Sequence, residues 1–134
     1  MKIILDNNIW ISFLIGKRLQ LLERVFKNSY ITVYVCEELI REFCDVANRP
    51  KIRRYISEND ILETIKIMEA FCVYAKIIRR AVSGIRDEKD LYLLSLADSV
   101  KADYIITGDK DLLVIKSYKN TKIMTYNEFL AISF

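Results

Sequence analysis

The chain has 134 residues, 52% hydrophobic and 29% charged, with one proline and three glycines; this excludes a disordered, collagen-like or linker-rich chain and suits a single domain over 1–134 with one real core. Its 21 basic and 18 acidic residues give a net charge of +3, a mild excess compatible with a nucleic-acid partner but not demanding one. There is no histidine, which excludes Ser-His-Asp triads, His-assisted cysteine nucleophiles and His-ligated zinc, and leaves catalysis to carboxylates, lysines, hydroxyls or a metal held by oxygen.

Taken in chain order, Lys2-Ile3-Ile4-Leu5 is a short apolar run ended by Asp6-Asn7-Asn8. Leu19, Leu22 and Phe26 then make a helical stripe. Ile31–Val35 is a second apolar run, followed by a helix with Leu39, Phe43 and Val46 on its apolar face and a break at Arg49-Pro50. Ile61, Ile65, Met68 and Cys72 make the next stripe. Val73–Ile78 reads as a third strand, and Ser83-Gly84 as a loop. Leu91–Val100 is apolar nearly all round and predicts a buried helix, with Asp87 as its N-cap and Asp90 three positions on. Tyr104–Thr107 is a fourth strand closed by Gly108-Asp109, and Thr121–Thr125 a weaker fifth. Continuous apolar strands alternating with helices predict a parallel sheet covered on both faces, a three-layer α/β domain.

Cys36, Cys44 and Cys72 form no CxxC pair and read as reduced, mostly buried thiols of a cytoplasmic protein. No signal peptide is visible, and no apolar stretch approaches the roughly 20 residues of a membrane helix.

Ligands of an open parallel sheet collect beyond the carboxyl ends of its strands. Asp6 and Asp109 follow the first and fourth strands, Asp90 opens the buried helix, and Glu42 lies two turns into the helix after the second strand. All four can reach one edge. Two carboxylates about 5 Å apart repel by roughly 3 kcal/mol at an effective dielectric near 20, so such a cluster calls for protonation or for a divalent cation with oxygen ligands, Mg²⁺ or Mn²⁺. That is suited to phosphodiester hydrolysis. The competing reading is that these acids are turn residues and caps, with Asp111 capping Leu112-Leu113. Arg49, Lys51, Arg53 and Arg54, and further on Arg79, Arg80 and Arg86, are either solvated charges or phosphate contacts. Tyr55 and Tyr92 are either base-stacking or packing residues.

Asp6-Asn7-Asn8-Ile9 with Ser12, Glu42 in Leu39-Ile40-Arg41-Glu42-Phe43, Arg49-Pro50-Lys51, Asp87-Glu88-Lys89-Asp90 with Leu94 and Ala97, and the block Ala102–Leu113 resemble the PIN domain. The nearest branch is that of VapC-type toxins of toxin–antitoxin systems, and the final block is the most specific piece. The resemblance implies a metal-dependent ribonuclease with an α/β/α fold and a central parallel sheet of order 3-2-1-4-5. It implies that Asp6, Glu42, Asp90 and Asp109 hold Mg²⁺ or Mn²⁺, and that the product keeps a 5′-phosphate. Asn8, Ser12 and Thr107 match polar positions that support the quartet or position water, with Asp87 and Asp111 as further matching acids. One departure is Asn7, where the family commonly has Thr or Ser. An RNA substrate, an antitoxin partner and a homodimer also follow from the resemblance, with Phe71, Tyr74, Phe129, Leu130, Ile132 and Phe134 as contact candidates. Two alternatives stay open: phosphoryl transfer on an aspartate, against which stands Asn8 where an Asp-x-Asp would need an acid, and a non-catalytic module binding RNA or protein.

Overall fold

Apolar side chains on both faces of an extended run can be buried only where helices cover the sheet on both sides, and this is how Ile3, Ile4 and Leu5 are placed, all fully buried in β1 (Lys2–Leu5). The computed structural model describes residues 1–78 and 88–133. After β1 come α1 (Asn7–Ile15), a 3₁₀ turn (Leu19–Leu22) leading into α2 (Glu23–Lys27), β2 (Thr32–Val35), α3 (Glu37–Ala47), α4 (Pro50–Arg53), α5 (Glu58–Phe71) and β3 (Val73–Tyr74). Then follow α6 (Glu88–Val100), β4 (Tyr104–Ile106), α7 (Lys110–Leu113), β5 (Ser117–Tyr118), β6 (Thr121–Met124) and α8 (Tyr126–Ser133).

The strand order is β3-β2-β1-β4-β6-β5. Every neighbouring pair is parallel except β5 with β6. The expected parallel order is therefore present as β3-β2-β1-β4-β6, and β5 is an antiparallel addition that the sequence reading did not contain. It forms because Lys119 turns the chain back with φ 53, leaving Tyr118 opposite Thr121. The third run is shorter than its apolar pattern suggests. Only Val73 and Tyr74 pair, both are exposed, and β2 is the neighbour they pair with, as for an edge strand. The stripe of Leu19, Leu22 and Phe26 is two short pieces rather than one helix.

Helix α1 packs against α3, and a column of rings ties α1 to α2 and α5: Trp10 stacks on Phe26 at 5.5 Å and Phe26 on Phe71 at 5.7 Å. Helix α5 opens with a reciprocal cap, Ser57 Oγ accepting the Asp60 N–H while the Asp60 carboxylate accepts the Ser57 N–H. Helix α6 lies against β1 and β4, and Tyr92 through Asp98 are all buried, as its nearly continuous apolar sequence predicts.

Candidate active site at the carboxyl edge of the sheet

The chain changes its direction across the sheet after β3. β1, β2 and β3 step to one side, and the connection through α6 returns to β4 on the other side of β1. The exit between β1 and β4 is thus a switch point, where helices diverge and a crevice opens. Leu5 pairs with Ile106, and the Asp6 N–H donates to the Ile106 carbonyl at 2.9 Å, so the two strand exits lie side by side.

Asp6 is fully buried there. Its Oδ1 accepts the Asn7 N–H at 2.6 Å, which makes it the N-cap of α1, and its Oδ2 accepts the Thr107 hydroxyl at 2.8 Å. The cap and the hydroxyl together fix both carboxylate oxygens at the start of the helix. Thr107 is buried too and carries the connection onward, its Oγ1 accepting the Asp109 N–H at 3.0 Å and the Asn8 amide at 3.4 Å. Asn8 in turn accepts the Gly108 N–H at 3.2 Å. Asp109 caps α7 by accepting the Asp111 N–H at 2.9 Å. This corrects one expectation: Asp109 is the cap, and Asp111 is an exposed acid in the first turn. Capping and clustering are here the same geometry, because a strand that ends where a helix begins puts its aspartate at both.

Glu42 arrives from α3, half-buried. The Asn7 amide Nδ2 lies 3.1 Å from Glu42 Oε1, 3.0 Å from the Leu39 carbonyl and 3.3 Å from the Tyr92 hydroxyl, and Tyr92 also hydrogen-bonds Glu42. Burial raises the Tyr92 phenol far above its ordinary value, and the negative charges of Glu42 and Asp6 push it the same way. Two acids from distant sequence therefore act on one buried hydroxyl. Asp90, buried in the first turn of α6, stands two residues before that tyrosine.

The donor chemistry suits a hard divalent cation, since every acid here offers carboxylate oxygen and two of them, Asp6 and Asp90, are buried. Among the described residues no three acids or thiols already stand at ligand spacing. The fit is one of charge and donor type, without a preformed cage.

The PIN domain family matches residues 2–111. The chain belongs to that family. PIN domains are generally nucleases, and a hydrolase acting on phosphodiester bonds is the activity that membership carries. In three dimensions the chain is similar to one in the VapBC2 crystal structure from Rickettsia felis, which is bound to a DNA fragment from the promoter; the TM-score is 0.60 at 16% identity, covering 94% of this chain and 99% of that one. No curated protein matches it in sequence.

Other expectations fall out unevenly over this PIN domain. Ser12 is exposed, one turn beyond Asn8 on α1. Asp87, Arg79, Arg80, Arg86, the Ser83-Gly84 loop and Phe134 lie outside the described residues. Arg49, Lys51, Arg53 and Arg54 are exposed around α4, with Arg53 held by Asn48 Oδ1 at 3.1 Å. Arg53, Arg54, Lys17 and the exposed Tyr55 line a cavity of about 730 Å³ that none of the four acids touches. Of the contact candidates, Phe71, Tyr74 and Ile132 are exposed, whereas Phe129 is wholly buried against the Tyr104 ring and belongs to the core. None of the three cysteines forms a disulfide, Cys36 being buried and the other two half-buried, and burial pushes Cys72 up to about 12. No helix among the described residues is long and apolar enough to cross a membrane.

Sequence reasoning passed over Asn7 and Tyr92. Asn7 stood out only as a departure from the family's Thr or Ser, and Tyr92 only as a base-stacking or packing residue beside Tyr55, not as a partner of Glu42. The position of Tyr92 two residues after Asp90 was the available signal.

Proposed function

We propose that this PIN domain is a divalent-metal-dependent endoribonuclease that cleaves single-stranded RNA and serves as the toxin of a toxin–antitoxin pair. The observation that carries the reading is the convergence of Asp6 and Glu42 on Tyr92 beside the Asp6–Thr107–Asp109 chain of hydrogen bonds, at the switch point of the sheet. Asp6, Asp90 and Asp109 are the residues that would hold Mg²⁺ or Mn²⁺, with Glu42 on the metal or on the attacking water. When bound, such an ion polarises the scissile phosphate and lowers the pKa of adjacent water. The chain's own part is orientation and proton handling. Thr107 and the Asn7 N–H fix both oxygens of Asp6, and Asp109 is held through its backbone by Thr107; Glu42 would take a proton from water entering the crevice.

Asn8 and Ser12 on α1 would support the quartet or position water, with Asp87 and Asp111 as further supporting acids. Arg49, Lys51, Arg53 and Arg54 supply phosphate contacts, which a steep fall of affinity with salt would reveal. An antitoxin partner follows by analogy with the VapBC2 assembly, and a homodimer by family likeness. The test is thermal melting with and without Mn²⁺, alongside cleavage of a single-stranded RNA. Saturating Mn²⁺ at 100 times its dissociation constant stabilises by about 2.7 kcal/mol, so melting should rise and cleavage should stop in EDTA. A protein that melts identically with and without Mn²⁺, and cuts equally in EDTA, would refute the reading.

A further inference from the structure

Three helices meet at one side chain. Glu42 comes from α3, Asn7 from α1 and Tyr92 from α6, and the last two are 2% and 8% exposed. We propose that Asn7 and Tyr92 are positioning residues that clamp the Glu42 carboxylate toward Asp6, so that Glu42 acts from one fixed place rather than from the spread of rotamers a half-exposed glutamate has. The inference rests on the nuclease reading and concerns residues that the acidic quartet does not include.

The orientation of Asn7 follows from its neighbours. The Leu39 carbonyl 3.0 Å from Nδ2 can only accept a hydrogen bond, and so can an ionised Glu42 at 3.1 Å. A flipped amide would set oxygen against oxygen twice, so the nitrogen must face them. The opposite end of the amide shows what this costs. Asn7 Oδ1 is buried without a hydrogen-bond partner among the described residues, so its desolvation is uncompensated. A Ser or Thr in its place would leave no such orphan, but has a single O–H to donate where the amide has two N–H groups. Tyr92 completes the clamp, its hydroxyl accepting from Asn7 at 3.3 Å and bonding Glu42. Without these contacts the glutamate would keep its rotamer freedom, which must be given up each time it acts.

The test is a double-mutant cycle on the whole chain, combining Tyr92→Phe with Glu42→Gln and reading RNA cleavage together with Mn²⁺ affinity by paramagnetic resonance of free Mn²⁺. Tyr92→Phe alone should lower kcat or Mn²⁺ affinity about 10- to 100-fold, as loss of a residue orienting a ligand does, with KM for RNA unchanged. In the Glu42→Gln background it should cost nothing further, because it acts through Glu42. Equal losses in both backgrounds, or no loss in either, would overturn the clamp. Should Tyr92→Phe not melt cooperatively, Asn7→Ala probes the same coupling from the other donor. A wild-type protein that binds no Mn²⁺ and cuts no RNA would refute the nuclease reading and the clamp with it; one that does both, beside an unaffected Tyr92→Phe, refutes the clamp alone.

Discussion

Two buried aspartates at opposite ends of the α6–β4 layer handle their charge differently. Asp98, near the end of α6, accepts the Lys101 ammonium at 3.1 Å and the Lys119 ammonium at 2.9 Å. The hydrogen bonds from Lys119 and then Lys101 hold its carboxyl below the usual carboxylate range. Asp6, at the other edge, accepts from the neutral Asn7 N–H and Thr107 hydroxyl, and its field adds to that of Glu42 at Tyr92. Where an acid serves the architecture, the chain brings cations to it, even at a backbone cost: Lys101 and Lys119 both have left-handed φ, 59 and 53, each strained by about 1 kcal/mol. At the other edge the fields of Asp6 and Glu42 add at one buried hydroxyl.

The sharpest way to break this contrast is Asp6→Asn. Asparagine caps α1 as well as aspartate does, so the fold should persist with a melting temperature close to wild type, while RNA cleavage falls about 100-fold or more with the loss of a charged oxygen ligand. Retained cleavage in a folded Asp6→Asn protein would erase the distinction. Asp98→Asn should do the reverse at pH 7, lowering the melting temperature while leaving cleavage intact. Because the Asp98 carboxyl is depressed in the fold, its stabilisation is present above the unfolded value near pH 4 and fades as pH falls toward the folded one. The melting difference between wild type and Asp98→Asn should therefore shrink in acid; a gap that widens below pH 4 would contradict the pairing. The smallest effect sharpens the account of the lysines. Lys119→Gly and Lys119→Ala both remove the ammonium, but glycine also relieves the left-handed backbone, so urea unfolding should find Lys119→Gly the more stable of the two by up to about 1 kcal/mol.

Most of the scaffold could be read from the chain because burial on both faces writes itself as continuous apolar runs. Lys2–Leu5, Ile31–Val35, Tyr104–Thr107 and Thr121–Thr125 all contain strands, and Leu91–Val100 lies within the buried α6. Edges were less legible. Val73–Ile78 is apolar enough for a full strand yet pairs over two residues, and Ser117–Tyr118 carries no pattern because a two-residue strand is decided by the Lys119 turn. In the site, the acids were visible because charge beside an apolar run is conspicuous. Asn7 and Tyr92 were not, since neutral polar groups look like cap and core until three helices bring them together.

The short outer strands have a consequence for behaviour at high concentration. On one flank β3 offers only Val73 and Tyr74 in strand form, with Ala75 adding a single bond to the Val35 carbonyl at 2.9 Å. On the other, β5 folds back antiparallel over β6 and presents just Ser117 and Tyr118. Among the described residues neither border exposes a long run of regular backbone to template an incoming polypeptide, the feature that blunts edge-to-edge strand addition and the fibrous aggregation that follows from it.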